Sequence, residues 1–228
     1  MTYDLYIGDR TFSSWSLRGW LMLEKFHVPH RTHLVGLYSG TMAQDLTPLE
    51  PARLVPVLKT PEGHVVGESL AMAETLAERH PQAGLWPQDA TLRMRARWVC
   101  AEMASGFGAL RSACPMQLQH VDKGFAPNDA VQADLARIET LWRACWHIRD
   151  EGDWLLGQYS LADVFYAPVA ARIIGYDLPV SQSAKAYCLQ VISDPTFKKW
   201  RKAGLEVAYD PFPYPTSGIT DAWPIKAD

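Results

Sequence analysis

Two neighbouring motifs constrain the fold of this chain most. The first is a proline directly before a short β-prone run, and the second is an acid–serine pair at the start of a helical pattern. Pro56 precedes residues 57–58, and because proline cannot donate to a sheet ladder it belongs at the start or edge of a strand. The backbone of Val55 is therefore left open. Glu68 and Ser69 lead into an apolar-periodic run that predicts the first turn of a helix. An open strand edge beside a helix N-terminus can bind an extended peptide and hold its carboxylate.

These two motifs, in this order and spacing, resemble the glutathione site of the glutathione S-transferases. The resemblance implies that the backbone of Val55 and Pro56, usually joined by a cis bond in that family, pairs with the cysteinyl part of glutathione. It also implies that Glu68 and Ser69 hold the γ-glutamyl carboxylate and amine, and that Arg53 lies near the glycyl carboxylate. Reduced glutathione is then the expected cosubstrate, and no metal is expected.

Composition and charge argue against several other classes of protein. The chain of 228 residues has a net charge of −3 with its lysines and arginines scattered, which does not favour a nucleic-acid or anionic-membrane partner. No apolar run approaches the roughly 18–20 residues of a membrane span. The acidic N-terminus does not resemble a signal peptide, and the cysteines have no metal-binding spacing, so a cytoplasmic protein with reduced thiols is expected.

The order of the predicted elements at the N-terminus is that of the thioredoxin-like fold. Alternating apolar positions predict a strand over residues 3–7, and a helix over residues 15–28 and a second strand over residues 30–37 complete a βαβ unit. Residues 57–66 predict a hairpin with a proline- and glycine-containing turn, and residues 69–79 predict the closing helix. The periodicity alone also fits other small α/β arrangements.

From about residue 90 the spacing of apolar residues is helical throughout, whereas the preceding part mixes strand and helix spacings. We therefore expect a thioredoxin-like glutathione-binding domain, a linker and an all-helical C-terminal domain, over residues 1–81, 82–89 and 90–228. Apolar spacings of three and four predict helices over residues 92–111 and 131–145, and a capping box from Ser160 to Asp163 starts another. A basic last helix is predicted over residues 197–204, followed by an extended tail of prolines and aromatic residues packed over the body.

The candidate reaction centre is the serine-rich segment of residues 11–18, where the first strand gives way to the first helix. A free thiol has a pKa of about 8.5, and lowering it to about 6.5 requires about 2.7 kcal/mol of preference for the thiolate. A hydroxyl that donates to the charged sulfur supplies about 1.5–3 kcal/mol, and a helix N-terminus adds about 0.3–1 kcal/mol. One well-placed serine is therefore sufficient without a metal or a general base.

This segment resembles the Ser-Ser-Cys-Ser-x-Arg stretch of zeta-class transferases, with Trp15 in place of the cysteine. The resemblance implies that Ser13 faces the sulfur, that Ser14 supports it or caps the helix, and that Ser16 lies further inside. Two alternatives stay open: the serines only cap the helix, or a tyrosine of the first strand activates the thiol.

A second-substrate pocket is expected between the loop before the first helix and one face of the helix predicted over residues 92–111. Its candidate residues are Phe12, Trp15, Met103, Phe107 and Arg111. Core packing explains the apolar members of this set equally well, whereas Arg111 can hold an acidic cosubstrate.

The resemblance implies a homodimeric transferase that conjugates glutathione, as a serine-stabilised thiolate, to a small electrophile. Two alternatives remain. One is glutathione-dependent cis–trans isomerisation of a maleyl compound in the zeta manner, in which the thiolate adds reversibly and leaves after bond rotation. The other is a non-enzymatic ligand-binding protein that has the transferase fold.

Overall fold

The computed structural model describes residues 2–208 and 212–226, and its N-terminal part is built on a four-stranded mixed sheet. The strands are β1 (Tyr3–Ile7), β2 (His30–Leu34), β3 (Val57–Lys59) and β4 (Val65–Val66). Their order across the sheet is β2-β1-β3-β4, with β1 parallel to β2 and antiparallel to β3. Alternate residues of β1 are buried, because successive side chains of a strand point to opposite faces.

The helices that accompany this sheet are α1 (Ser14–Glu24), α2 (Met42–Leu46) and α3 (Ser69–Arg79). α1 is the crossover between the parallel strands β1 and β2, and α3 follows the β3–β4 hairpin. This arrangement confirms the predicted thioredoxin-like fold. The sequence pattern does not predict α2, which lies with a short 3-10 turn in the connection before β3.

The C-terminal part is helical, as predicted. In the described part of the chain its helices are α4 (Ala90–Ser105), α5 (Gly108–Ala113), α6 (Asp129–Trp146), α7 (Leu161–Gly175), α8 (Gln182–Ser193) and α9 (Pro195–Leu205). Every residue of α7 is buried, and this helix packs against α1, α4 and α8, so one core joins the two parts of the chain. No helix within the described ranges is both long and apolar enough to cross a membrane.

The helix predicted over residues 92–111 is interrupted in the structure. α4 ends at Ser105, Phe107 adopts a left-handed backbone with a φ of 58°, and α5 starts at the next residue. Gly106 suits this break, because a Cβ atom there would lie 2.8 Å from the carbonyl oxygen of Glu102. Apolar periodicity continues across the break because both helices pack on the same core, so the pattern alone predicts one helix.

The predicted capping box at the start of α7 is confirmed. Ser160 Oγ accepts a hydrogen bond from Ala162 N at 3.2 Å, and Asp163 Oδ2 accepts one from Ser160 N at 2.9 Å. Asp163 Oδ1 also accepts from Leu155 N at 3.1 Å and from Tyr187 Oη at 3.0 Å. One buried carboxylate therefore ties the start of α7 to the preceding loop and to α8.

A small two-stranded sheet lies within the helical C-terminal part. β5 (His120–Asp122) pairs antiparallel with β6 (Thr220–Ala222), so the end of the chain returns to the segment between α5 and α6. Trp223 directly follows β6 and is buried. Tyr209 and Pro211 of the predicted tail lie outside the described residues.

Candidate active site

A cavity of about 520 Å³ opens among the loop before β3, the end of β4, the start of α3, the first turn of α1 and α5. Its lining includes the residues that the sequence predicts as peptide contacts, which are Arg53, Val55, Pro56, Glu68 and Ser69. The other lining residues are Trp15, Pro51, Ala52, Leu54, Val65, Gly67 and Arg111. A groove of similar volume, about 540 Å³, lies between α1 and α9 and contains none of these residues.

Close helix packing positions the wall of the cavity that precedes β3. The Val55–Pro56 bond is cis, as the resemblance implies, and Pro56 is buried. α1 approaches the proline ring at Gly19, where a Cβ atom would lie 2.8 Å from ring carbons of Pro56. Glycine at this position therefore lets the first helix support the open backbone of Val55.

α3 starts at the cavity without a side-chain cap. Glu68 is the N-cap residue, but its side chain accepts no hydrogen bond from the first turn, and its φ of 59° is rare for a residue with a Cβ atom. Ser69 is buried, and its Oγ has no hydrogen-bond partner within residues 2–208 and 212–226. Leaving a buried hydroxyl unpaired costs free energy, so this helix start is suited to receive an anionic ligand such as a carboxylate.

The serines at the start of α1 have different roles. Ser13 is the N-cap: its Oγ accepts from Ser16 N at 3.4 Å and donates to Ser16 Oγ at 2.7 Å. Ser16 is fully buried, and its Oγ also accepts from Gly8 N at 3.0 Å. Ser13 is therefore the N-cap of α1. The expectation from the resemblance that Ser14 could cap this helix is wrong.

Ser14 is more accessible than Ser13. Its side chain is half-buried, whereas Ser13 is only 7% exposed. Ser14 Oγ accepts a hydrogen bond from Arg172 Nη2 at 3.3 Å, and no acceptor among the described residues takes its own hydroxyl hydrogen. Ser14 therefore keeps a free donor.

Three arginines lie at Ser14 and the neighbouring Trp15. The guanidinium carbons of Arg18 and Arg111 lie 4.3 Å and 4.9 Å from the centroid of the Trp15 ring, and Arg172 contacts Ser14. Arg18 is buried, and its Nη1 has no partner in the described part of the chain. None of the three forms an ion pair with a described carboxylate.

The unpaired guanidiniums make the start of α1 strongly positive. Burial, together with repulsion from Arg172 and Arg111, lowers the pKa of Arg18 to about 9. Burial and repulsion from Arg111 lower the pKa of Arg172 to about 10. Such a positive region favours the anionic form of any group that binds beside it. Within the described ranges, no group of three or more His, Cys, Asp or Glu residues could hold a metal ion.

The residues predicted to line a second-substrate pocket separate into three places. Trp15 and Arg111 border the cavity. Met103 is fully buried and Phe107 is also buried, both within the main core, so their assignment is corrected to core packing. Phe12 is buried too, and the rings of Tyr38, Phe212 and Tyr214 are among those that pack on it.

The sequence analysis does not single out Arg172, which contacts Ser14 at the start of α1. The one sequence signal that could indicate it is that Arg172 is the single basic residue of α7, a helix that is otherwise almost wholly apolar. A buried charge in such a helix is costly without polar partners, so its presence indicates that polar groups pack against it. Its contact with Ser14 spans 158 positions in the chain, so no local pattern connects the two residues.

A family model described as "Glutathione S-transferase, N-terminal domain" matches residues 12–79. Among curated proteins, the chain is similar to a probable maleylacetoacetate isomerase of Caenorhabditis elegans, with 30% identity over 182 residues that cover 78% of this chain and 81% of that protein. It is also similar to a maleylacetoacetate isomerase of Rattus norvegicus, with 27% identity and coverage of 78% and 81%.

Solved structures support the same fold. A glutathione transferase homolog from Burkholderia GL BGR1 with bound glutathione superposes with a TM-score of 0.67 at 22% identity, covering 91% of this chain and 100% of that chain. A diazinon-metabolizing glutathione S-transferase of the silkworm Bombyx mori gives a TM-score of 0.69 at 19% identity, with coverage of 90% and 98%.

Proposed function

Because the chain belongs to the glutathione S-transferase family, we propose that it binds reduced glutathione in the cavity and conjugates it to a small electrophile. The tripeptide lies along the open backbone of Val55 as an added strand. Its γ-glutamyl end meets Glu68 and Ser69, and its glycyl carboxylate lies near Arg53. A serine hydroxyl at the start of α1 stabilises the sulfur as a thiolate, which forms the new bond to carbon.

The observation that carries this proposal is the Ser69 hydroxyl, which has no hydrogen-bond partner among the described residues. It is buried at an uncapped helix start, on the wall of a cavity that also includes Val55 and Pro56. A carboxylate there would accept from Ser69 and from the free amides of the first turn of α3. Val55 precedes β3 and lies outside the sheet ladder, so its backbone can pair with an extended peptide.

Replacing Ser69 with alanine should weaken the binding of reduced glutathione about 10- to 150-fold. A hydrogen bond to a charged group contributes about 1.5–3 kcal/mol, and about 1.4 kcal/mol corresponds to a tenfold change in affinity. Isothermal titration calorimetry with reduced glutathione measures this change.

The matched control for that experiment is Ser193→Ala, because this serine lies at the end of α8 and outside the cavity lining. It should leave the dissociation constant unchanged. An unaltered affinity in Ser69→Ala would remove this serine from the site. The absence of any binding heat in wild type at millimolar glutathione would refute the proposal that the protein binds glutathione.

A second candidate is glutathione-dependent isomerisation of a maleyl compound. It is favoured by relatives that align over most of the chain and are named maleylacetoacetate isomerases. Progress curves with maleylacetone separate the two reactions, because an isomerase consumes no glutathione. A ligand-binding protein without catalysis would instead bind glutathione and leave the pKa of its thiol at the value of the free tripeptide.

We also propose that the protein forms a homodimer through an exposed face of α4. Met94 and Trp98 are 64% and 52% exposed, and their spacing of four places them on the same side of the helix. An ion pair between Arg97 and Glu74 lies beside them. An apolar patch with a charged rim is typical of a protein–protein interface.

Replacing Trp98 with glutamate should weaken self-association about thirty-fold or more, because a tryptophan at the centre of an interface commonly contributes at least about 2 kcal/mol. Sedimentation velocity over a range of protein concentrations measures the change. Leu205→Glu, on the exposed side of α9, is the control and should leave association unaltered. A wild type that stays monomeric, or a Trp98→Glu variant that remains fully dimeric, would contradict this interface.

A further inference from the structure

Arg172 joins the start of α1 to the buried helix that crosses it. The side chain is 5% exposed, and Nε donates to Cys114 O at 2.8 Å, Nη1 to Pro168 O at 3.2 Å and Nη2 to Ser14 Oγ at 3.3 Å. No carboxylate in residues 2–208 or 212–226 pairs with it, although a buried charge is ordinarily paired. The guanidinium is therefore held against Ser14 by backbone carbonyls and is not neutralised by an acid.

The two serines beside this arginine differ in what their hydroxyl hydrogens can do. Ser13 Oγ donates to Ser16 Oγ, which leaves it no hydrogen for another acceptor. Ser14 Oγ accepts from Arg172, and none of the described residues accepts the hydrogen of Ser14. A hydroxyl whose oxygen accepts from a cation becomes a stronger donor, because linked hydrogen bonds polarise one another. Ser14 is thus prepared to donate to a nearby anion.

We propose that Arg172 is a positioning residue of the reaction: it orients and polarises the Ser14 hydroxyl, which donates to the glutathione sulfur. This inference rests on the proposed function, since it needs glutathione in the cavity beside Trp15. The thiol proton leaves to solvent water, and Ser14 keeps its own proton and shares it with the thiolate. Arg172 contacts the serine and does not contact the sulfur.

The groups around Arg172 leave this region positive. Among the described residues, the titratable groups that act on its charge are Arg18, Arg111, Cys114, Tyr176 and Tyr214. Burial raises the pKa of the Cys114 thiol to about 12 and also raises the pKa of the Tyr176 phenol, so both are neutral near pH 7. The acid of the loop before α1, Asp9, accepts from Phe12 N at 2.9 Å.

The test is a titration of the thiol of bound glutathione, followed by the ultraviolet absorbance of the thiolate. In Arg172→Gln we expect the apparent pKa to rise by about one, so that the thiolate fraction below that pKa falls about tenfold. Arg172→Lys keeps a cation and should recover part of the loss. In a Ser14→Ala background, Arg172→Gln should add only a small shift, similar to that of Arg111→Gln, because a positioning residue acts mainly through the serine.

Arg111→Gln is the matched control, because it removes a neighbouring positive charge whose Nη1 donates to Gly106 O rather than to Ser14. Its smaller shift should persist in the Ser14→Ala background. The inference is overturned if the full pKa shift caused by Arg172→Gln also appears in the Ser14→Ala background. Arg172 would then act only through the general electrostatic field of its charge. The inference is also overturned if neither Arg172 variant changes the thiol pKa.

Calorimetry with reduced glutathione on the same proteins separates this inference from the proposed function. The proposed function fails if wild type does not bind glutathione, or if the bound thiol titrates like the free tripeptide. Only the positioning role fails if Ser14→Ala raises the pKa while folded Arg172 variants leave it unchanged. Should Arg172→Gln not fold, Arg172→Lys alone and combined with Ser14→Ala decides the question.

Discussion

Replacing Ser14 with alanine should lower kcat/KM for glutathione conjugation about 10- to 150-fold, because the lost hydrogen bond to a charged sulfur contributes about 1.5–3 kcal/mol and 1.36 kcal/mol corresponds to a tenfold rate change. The acidic limb of the pH–rate profile should move to higher pH, since the thiol of bound glutathione then ionises less readily. Steady-state kinetics with a chromogenic electrophile measure both effects.

Ser13→Ala provides the contrast, because the neighbouring serine has a different role in the structure. Ser13 caps α1 and donates to the buried Ser16 hydroxyl, so its loss should cost about 0.5–2 kcal/mol of stability. The thiol pKa should change little. If Ser13→Ala raised that pKa and Ser14→Ala did not, the serine that the zeta resemblance points to would be the activating residue after all.

The sequence predicts the segment that contains the proposed activating serine but does not choose between its members. Ser13 and Ser14 are consecutive at the start of a helix, so they point in different directions, and either can face a ligand or the core. The choice depends on the contact of Ser14 with Arg172, 158 positions away. Such a contact follows from the packing of α7 on α1, which no local pattern encodes.

The wall of the cavity was more predictable because local signals specify it. Pro56 limits where a strand can begin, and the run after Glu68 and Ser69 has helical periodicity. The structure accordingly brings these residues and Val55 to one cavity. Each prediction needed only neighbouring residues, and the resemblance supplied the reason to combine them.

Predictions that depended on apolar residues were less secure. Met103 and Phe107 suit a pocket or a core equally well in sequence, and only the packing of α4 and α5 places them in the core. The helix break at Gly106 is hidden by periodicity that continues on both sides. The sequence analysis does not predict α8, although Ser181 caps it and its buried positions follow helical spacing.

Replacing Asp163 with alanine should destabilise the fold by about 3–5 kcal/mol, a large part of the roughly 5–15 kcal/mol of a typical domain. The carboxylate accepts from Leu155 N at 3.1 Å, Tyr187 Oη at 3.0 Å and Ser160 N at 2.9 Å, and all three donors would lose a buried partner. Urea unfolding followed by circular dichroism measures the loss. Ser160→Ala removes only the other side chain of the same capping box and should cost about 0.5–2 kcal/mol.

The pH dependence of stability separates the charge of Asp163 from its hydrogen bonds. Burial raises the pKa of Asp163 from 3.8 to about 6, so the folded chain binds this proton more tightly than the unfolded chain does. The stability gained from protonation is complete below the unfolded pKa and is lost as the pH rises through the folded pKa. Wild type should therefore lose about 1 kcal/mol, relative to the non-titrating Asp163→Asn, between about pH 5 and about pH 7.5. If the difference in unfolding free energy between wild type and Asp163→Asn does not change with pH, the carboxylate stays ionised. The hydrogen bonds from Leu155, Ser160 and Tyr187 would then outweigh burial.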